Sequence, residues 1–292
     1  MWLIYAIGAA VFAGITSILA KCGIRDTDSN VATAIRTVVI LLFSWLLVFL
    51  TGVQGEIASI SGKQFLFLML SGFTTGASWL CYFRALQLGD INKVVPIDKS
   101  STVLTIIIAT IFLGEGISVS KVASVVMIGA GIFLMIQKKA IEQSTPELQN
   151  KGSRWFIYAA LSAVFASLTA ILGKIGITGV NSNLGTAIRT CVVLLMAWGI
   201  ILSEKKVRDI RKIAGRELLF ISLSGITTGA SWLCYYRALK EGITSVVVAI
   251  DKLSVLVTIL FSFLVFREVL SKKAAFGLVL LVLGTIALAM VH

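Results

Sequence analysis

The sequence SGFTTGASWLCYFRAL at residues 71–86 returns as SGITTGASWLCYYRAL at residues 224–239, with fourteen of sixteen positions identical. The two copies are 153 residues apart, and the same offset aligns the rest of the chain without a gap. Self-similarity at a fixed spacing indicates two copies of one structural unit. We therefore predict a first repeat at residues 1–139, a polar linker at 140–153 and a second repeat at 154–292.

The chain is too apolar for a soluble domain. Hydrophobic residues make up 58% of its 292 positions and charged residues 14%, whereas soluble domains carry about 25% charged residues. The apolar residues form ten runs, each close to the roughly 20 residues that cross a bilayer about 30 Å thick. These runs lie at about 2–20, 31–51, 64–86, 94–113, 119–137, 155–173, 184–203, 217–239, 245–266 and 273–291.

Each run is interpreted as a helix, because an isolated strand in lipid leaves its backbone unpaired and the runs are too uniformly apolar for barrel strands. Each repeat contains five runs, so the chain ends the first repeat on the opposite side of the membrane. The second repeat must then thread in the opposite sense. The predicted fold is an all-α membrane protein with ten transmembrane helices as two inverted five-helix repeats, a plan common among secondary transporters.

Several functional classes are disfavoured by the sequence. The net charge of +12 does not indicate nucleic acid, because Lys and Arg lie mostly between apolar runs, where membrane topology places them. The sequence has no phosphate-binding loop, no nucleophile with a paired base, and His292 is its one histidine beside four scattered cysteines. We expect no enzyme activity, no cofactor and no metal. The expected partners are a small-molecule substrate, the lipid bilayer and protons, with monomer and homodimer both open.

Short motifs then narrow the class. The first repeat reads FRAL at 83–86, PIDK at 96–99 and LGE at 113–115, and the second reads YRAL at 236–239, AIDK at 249–252 and FRE at 266–268. These elements resemble the EamA-type branch of the drug/metabolite transporter superfamily, and IDK resembles its short five-span bacterial and archaeal members. The chain looks like a fused tandem of such a protein, although Ala249 replaces Pro96 and Arg267 replaces Gly114. The resemblance implies a central cavity and secondary transport of a metabolite across the inner membrane of a prokaryote, without indicating which metabolite.

Ionisable side chains within the apolar runs are the first candidate site residues, because charge inside a membrane is costly. They are Arg36, Arg84, Asp98, Lys99, Arg189, Arg237, Asp251 and Lys252. A rise of about 1.5 Å per residue places Arg36, Asp98 and Arg84 roughly 8–12 Å from the bilayer centre, toward the same membrane face. The equivalent residues of the second repeat are predicted to form a second charged layer toward the opposite face. Arg36 and Arg189 are predicted to bind substrate, and the other six to act in gating or proton coupling. The alternative is snorkelling of Arg84 and Arg237 and structural ion pairs for the rest.

The sign of these charges bears on the substrate. Six cations against two acids favour an anionic or zwitterionic solute moved by alternating access. Lipid phosphates are another possible partner, so a lipid translocase or scramblase is the alternative, with efflux of cationic compounds less favoured. Glu115 and Glu268 follow predicted span ends, and we expect them to be solvated or to cap the next segment.

Polar and aromatic residues also cluster at the middle of the third run of each repeat. The predicted substrate-binding set is Thr75, Ser78, Trp79, Tyr82, Thr228, Ser231, Trp232 and Tyr235. Hydroxyls three or four residues apart lie on one helical face, and Trp and Tyr offer both a flat ring and a polar group. Close helix packing through small residues explains the same pattern equally well.

Lysines and arginines outside the candidate sites predict the orientation. Sixteen of these twenty lie in loops on one side and four on the other, and the excess marks the cytoplasmic side. The charges thus predict both termini outside, whereas ten-span relatives are usually described with both inside. The sequence leaves the orientation open.

Overall fold

The computed structural model describes residues 1–23, 27–88, 94, 97–135, 154–266 and 271–291. Its elements are helical, with no strand among these residues. The helices are α1 (Trp2–Gly23), α2 (Ser29–Leu50), α3 (Gly62–Leu88), α4 (Ser101–Phe112), α5 (Val119–Met135), α6 (Arg154–Ile177), α7 (Ser182–Ser203), α8 (Gly215–Glu241), α9 (Thr244–Lys252), α10 (Ser254–Phe266) and α11 (Lys272–Met290). Short 3₁₀ helices cover Gln54–Ser59 and Lys206–Lys212.

The described helices match most of the predicted runs. Eight stretches are long and apolar enough to cross a membrane, and α5 is a shorter apolar helix of 17 residues. The run predicted at 94–113 is helical from Ser101 to Phe112. The predicted linker at 140–153, together with Glu268 and His292, lies outside the described residues. The chain is therefore an all-helical, multi-pass membrane protein.

Polar caps fix where α2 and α7 begin. The Asp28 carboxylate accepts hydrogen bonds from the backbone N–H groups of Asn30 (2.9 Å) and Val31 (3.3 Å). Asn181 occupies the matching position before α7 and accepts from the Asn183 N–H at 3.0 Å. Asp and Asn stabilise a helix start in this way because the first N–H groups have no partner inside the helix. The same cap position is thus charged in one repeat and neutral in the other.

The helices form two compact units, and each unit takes segments from both repeats. The first unit comprises Met1–Gly76, Leu172–Gly242 and Ile250–Phe266, and the second comprises Ala77–Ile171, Ile243–Ala249 and Arg267–His292. In the first unit, α1 packs on α8 and α10, and α2 packs on α7 and α8. In the second unit, α5 packs on α11 and α4. Most of these contacts join a helix of one repeat to a helix of the other.

Glycines at the helix crossings show that the contacts are reciprocal. A Cβ on Gly72 would lie 2.6 Å from the Arg189 carbonyl oxygen, and a Cβ on Gly225 would lie 3.2 Å from that of Arg36. Gly72 and Gly225 are 153 positions apart, and so are Arg36 and Arg189. Contacts that are repeated with the partners exchanged are the signature of a two-fold relation. The repeats therefore keep this symmetry in their packing as well as in their sequence.

Candidate functional site

Arg189, the eighth residue of α7, is the centre of the most unusual polar cluster of the first unit. Its side chain is buried, with 1% of its surface exposed. One terminal nitrogen, Nη2, donates a hydrogen bond to Thr75 Oγ1 at 2.8 Å. The guanidinium carbon lies 4.4 Å from the ring centre of Tyr236 and 4.9 Å from that of Trp232. We call Thr75, Arg189, Trp232 and Tyr236 the arginine pocket.

The positive charge of this pocket is not neutralised by any described residue. Nε and Nη1 of Arg189 are buried without a hydrogen-bond partner, and no described carboxylate pairs with the guanidinium. Contact with aromatic faces can contribute about 2 kcal/mol when desolvated, but it leaves the net charge in place. A buried charge without a partner is costly, so the pocket is suited to attract an anion.

Neighbouring residues hold the pocket in position. Thr75 donates its own proton to the Ser71 carbonyl at 2.9 Å, which leaves the hydroxyl oxygen available as an acceptor for Arg189. A Cβ on Gly173 would lie 2.7 Å from Tyr236 Cε1, so the missing side chain at that position makes room for the tyrosine ring. The pocket is therefore built by three helices, α3, α7 and α8, and supported by a fourth, α6.

Tyr236 was not among the predicted site residues, whereas its neighbour Tyr235 was. The two rings contact each other edge to face, with centres 5.3 Å apart, but Tyr236 faces Arg189. The repeat contained a signal, because Phe83 stands at the matching position of the first repeat. This is one of only two differences between the sixteen-residue copies.

Arg36 matches Arg189 in the repeat but lacks the equivalent hydrogen bond. Its side chain is half-buried, and its Nε has no partner. Thr228, the counterpart of Thr75, donates to the Ser224 carbonyl at 2.6 Å and lies 3.5 Å from the Thr16 hydroxyl. No hydrogen bond joins Arg36 to Thr228 among the described contacts.

The two predicted serines form equivalent contacts with a helix of the other repeat. Ser231 donates to the Ala9 carbonyl at 2.9 Å, and Ser78 donates to the Ser162 carbonyl at 3.1 Å. Ser162 is the counterpart of Ala9. The structure thus places these two hydroxyls in contacts between helices, and their role in substrate binding stays a prediction. Trp79 and Tyr82 are half-buried, and Tyr82 packs against a cluster formed by Ala85, Val94 and Ala159.

The two Asp-Lys pairs lie immediately before matching turns in the chain. Ser100 N–H bonds to the Ile97 carbonyl at 3.2 Å, and Leu253 N–H bonds to the Ile250 carbonyl at 2.9 Å. These i to i−3 bonds are tighter than those of an α-helix, and α4 and α10 begin directly afterwards. Asp98 and Asp251 therefore lie beside local interruptions of their helices.

The surroundings of the two aspartates differ. Asp98 accepts a hydrogen bond from Ser162 at 2.8 Å, with Lys99 Nζ 3.9 Å away. Asp251 lies 3.5 Å from Lys252 Nζ. Because Ala9 has no hydroxyl, the second aspartate lacks an equivalent serine donor from that position.

The remaining predicted gating residues lie nearer to the helix ends. Arg237 contacts the Glu241 carboxylate at 2.6 Å and lies 5.7 Å from the Tyr5 ring centre. Arg84 is exposed. These positions place neither residue in the arginine pocket.

Glu115 caps a helix, as expected, but the capped helix is α9 of the other repeat. The sequence had suggested the segment that follows Glu115 in the chain. One carboxylate oxygen accepts from the Thr244 N–H at 2.6 Å, and the other accepts from the Ser245 N–H at 3.2 Å and from the Ser245 hydroxyl. Lys121 is buried beside it, 3.5 Å from the carboxylate. This arrangement compensates a helix N-terminus with a negative charge.

A group of charges that sequence reasoning missed joins the start of α2 to the end of α7. Lys206 Nζ lies 2.8 Å from Asp28 and 2.9 Å from Glu204, and the Asn30 amide donates to both oxygens of Glu204. We call these four residues the ionic end. A cavity of about 400 Å³ lies beside it, with Asp28 and Glu217 on its wall.

Hydrogen bonding in the ionic end shifts two pKa values in opposite directions. Burial opposes ionisation of Asp28, but hydrogen bonds from Lys206 and from the backbone at Asn30 and Val31 outweigh it and lower the Asp28 pKa. Hydrogen bonds to Asp28 and Glu204 raise the pKa of Lys206. Each group thus favours the charged form of its partner. Among the residues that the structure describes, no cluster of three or more His, Cys, Asp or Glu side chains is arranged to hold a metal.

Repeated apolar helices define a multi-pass membrane protein, and comparison with known proteins identifies its class as a transporter. The sequence profile of the EamA-like transporter family matches twice, at residues 1–137 and 153–290. The chain belongs to the EamA-like transporter family.

Two relatives and one solved structure are similar to the chain. An uncharacterized transporter in the cobO 3' region of Sinorhizobium sp. is 45% identical over 134 residues, which cover 46% of this chain and 95% of the relative. The uncharacterized transporter YxxF of Bacillus subtilis (strain 168) is 25% identical over 196 residues, 65% of this chain and 60% of the relative. A crystal structure with 18% identity aligns over 98% of this chain and 96% of its own, with a TM-score of 0.79, and supports the fold.

Proposed function

We propose that the protein is a secondary active transporter that moves a small anionic or zwitterionic metabolite across the cell membrane of a prokaryote by alternating access. The observation that carries this proposal is the arginine pocket. A guanidinium that is buried without a described carboxylate partner is expensive in a membrane protein, and such residues usually serve the transported solute. The Arg189 side chain is buried, so a solute reaches it when the helices move.

The proposed architecture is ten transmembrane helices in two inverted repeats. The reciprocal glycine contacts support it, because they relate the repeats by a two-fold exchange. In such proteins the two halves can swap conformations, and the site then faces each side of the membrane in turn. The interruptions at Ser100 and Leu253 supply places in the predicted fourth and ninth spans where a helix can bend.

Proton coupling at Asp98 and Asp251 is part of the proposal. Both carboxylates lie at interruptions of their helices, where a change of charge acts on the local hydrogen bonds. No catalytic step is proposed, and no cofactor or metal is required by this mechanism.

Transport by purified protein in liposomes tests the proposal. A metabolite library is first screened for compounds that raise the thermal unfolding temperature, and each such compound is then assayed for uptake with and without a proton gradient. We expect uptake that Arg189→Gln reduces by at least about tenfold, because one charged hydrogen-bonded contact contributes about 1.5–3 kcal/mol. Arg216→Gln is the control, since this arginine is exposed in the first turn of α8 and belongs to no candidate site. Absence of solute flux together with rapid flipping of fluorescent lipids would show a lipid translocase instead.

The proton arm uses the Asp98→Asn, Asp251→Asn double variant. We expect it to retain exchange of solute for solute and to lose accumulation driven by a proton gradient. Full proton-driven accumulation by the double variant would contradict coupling through these aspartates.

A further inference from the structure

We propose that the arginine pocket binds a single carboxylate group, so that the solute is a carboxylic acid anion and not a zwitterion. This inference rests on the proposed function and narrows the substrate class of the same site. Three observations carry it: the geometry of the N–H groups of Arg189, the charge of the pocket, and the occupied state of the acidic residues in the first unit.

The first observation is an in-plane pair of N–H groups. A guanidinium has five N–H donors, and the one described hydrogen bond of Arg189 leaves from Nη2 to Thr75. Nε and Nη1 have no partner. Whichever hydrogen Nη2 gives to Thr75, its other hydrogen lies parallel to an N–H of Nε or of Nη1. One two-pronged edge therefore remains, and it matches the two oxygens of a carboxylate.

The planar shape of the guanidinium limits how a ligand can bond to that edge. Tyr236 and Trp232 lie 4.4 and 4.9 Å from the guanidinium carbon, so they contact the cation directly. The N–H groups point outward in the plane of the guanidinium, so a ligand that bonds to them approaches in that plane. This restriction favours a flat carboxylate that bonds in the same plane.

Charge balance favours one carboxylate over a phosphate ester. The pocket contributes one positive charge, and a carboxylate neutralises it. A phosphate monoester carries about −1.5 to −2 at neutral pH and would leave excess negative charge in a buried site, at a desolvation cost.

The third observation, the pairing of the acidic residues, bears on whether the solute is an anion or a zwitterion. The ammonium group of an amino acid needs an acceptor, for which a buried carboxylate is the usual one. Apart from the exposed Glu56, every acidic residue described in the first unit has a partner: Asp28 and Glu204 contact Lys206, Asp209 contacts Lys212, Glu217 contacts Thr27, Glu241 contacts Arg237, and Asp251 contacts Lys252. All of these except Glu217 are paired with a lysine or an arginine, and Glu217 lies on the wall of the cavity beside the ionic end.

A matched series of small probes tests the inference on purified protein in lipid nanodiscs. Propionate carries a carboxylate, propionamide replaces it with a neutral amide, alanine adds an ammonium group, and methylphosphonate replaces the planar anion with a tetrahedral one. Binding is measured by calorimetry and by the shift of the thermal unfolding temperature. We expect propionate to bind at least about tenfold more tightly than propionamide, which loses the charged contact with Arg189. A similar margin is expected over alanine, because its ammonium group would be buried without an acceptor. Methylphosphonate is expected to bind more weakly than propionate.

Variants connect the effect to Arg189. Arg189→Lys keeps the positive charge but removes the two-pronged edge, and we expect it to lose the preference of propionate over methylphosphonate. Arg189→Gln is expected to lose propionate binding, while Arg216→Gln, at an exposed arginine in the first turn of α8 that belongs to no candidate site, keeps the affinity of the native protein. Circular dichroism and gel filtration identify any variant that is not folded. If a variant is unfolded, the probe series on the native protein still decides the inference.

The outcomes separate this inference from the proposed function. Equal or tighter binding of alanine would overturn the carboxylate assignment and leave anion or zwitterion transport standing. Tighter binding of methylphosphonate would overturn it in favour of a phosphate group. Binding of no anion in the series, with solute flux preserved in liposomes, would overturn the inference alone.

Discussion

Arg36 and Arg189 occupy the same position in their repeats, the eighth residue of α2 and of α7, yet their environments differ. Arg189 is sealed, bonded to Thr75 and in contact with two aromatic rings. Arg36 is half-buried and has no described bond to Thr228. The backbone contacts around both arginines are equivalent, as Gly72 and Gly225 show. The two-fold relation therefore governs packing, while the polar contacts of the two halves have diverged.

The two ends of the α2 and α7 pair also differ in their polar contacts. Asp28, Asn30, Glu204 and Lys206 form the ionic end, and their counterparts 153 residues away are Asn181, Asn183, Thr51 and Val53. None of the four counterparts carries a charge. The matching positions therefore carry an ion-paired cluster at one end and neutral residues at the other. Salt and pH are therefore expected to affect the two ends unequally.

The largest expected effect comes from breaking the shared packing at Gly72. A Cβ there would lie 2.6 Å from a backbone oxygen and 2.8 Å from Val192, and backbone cannot move aside cheaply. We expect Gly72→Ala to lower the free energy of unfolding by about 3 kcal/mol, at the upper end of overpacking costs. Gly225→Ala should cost less, because the nearest backbone oxygen there is 3.2 Å away, although Val39 Cβ at 2.7 Å must also shift. Unfolding in mixed micelles measures both.

Gly199→Ala is the matched control for that comparison, since no atom lies within 4 Å of its added Cβ and alanine is the better helix former. Equal effects at positions 72 and 199 would contradict the close crossing of α3 and α7.

An intermediate effect is expected from the paired threonines. Thr75→Val keeps the shape of the side chain but removes the acceptor for Arg189, and hydrogen bonds to charged groups contribute about 1.5–3 kcal/mol. We expect a loss of about 2 kcal/mol in the free energy of unfolding. Thr228→Val removes only contacts with neutral groups and should cost less than about 1 kcal/mol. Equal losses would indicate that Arg36 and Arg189 are bonded alike, and the serine variants serve as controls that keep the hydroxyl.

The smallest effect is expected at the ionic end. Lys206→Met removes two partly exposed ion pairs, and such pairs contribute at most about 1 kcal/mol each because solvent and salt screen them. We expect a lower thermal unfolding temperature near neutral pH and little effect in high salt. Val53→Met, at the matching position of the other end, should be nearly neutral at every salt concentration.

The pH dependence of the Lys206→Met effect follows from the direction of the two pKa shifts. The lowered pKa of Asp28 gives stability that is present above its ordinary value of 3.8 and is lost as the pH falls through the lowered value. The raised pKa of Lys206 gives stability that is present below its ordinary value of 10.5 and is lost as the pH rises through the raised value. The difference between native protein and variant should therefore be widest between these limits. A difference that stays constant down to strongly acidic pH would contradict the Asp28 pair.

Much of the architecture could be predicted from sequence because its determinants are local or periodic. Apolar run length indicated the helices, and the repeat indicated their equivalence. The family assignment and the multi-pass membrane character are confirmed, whereas the ten inverted spans remain a prediction. Arg189 was identified as a candidate because a charge within an apolar run is visible without knowing its neighbours.

What the sequence did not reveal depends on contacts between distant segments. Tyr236 and Tyr235 are adjacent and chemically identical, so only the direction of the facing helix decides which one contacts Arg189. The bond from Ser162 to Asp98 spans 64 positions, and Lys206 meets Asp28 across 178. Such pairs have no spacing rule that a single sequence could expose.

The exchange of partners between repeats also constrains how the protein is made. Helices α1, α2 and α5 pack mainly on helices that the ribosome has not yet synthesised when they leave the translocon. The first half of the chain must therefore wait in the bilayer with its polar and small-residue faces uncovered until the second half arrives. If the two repeats were separate proteins, each first repeat would need a second repeat produced at the same time. Covalent fusion ensures that the two repeats are made in equal amounts.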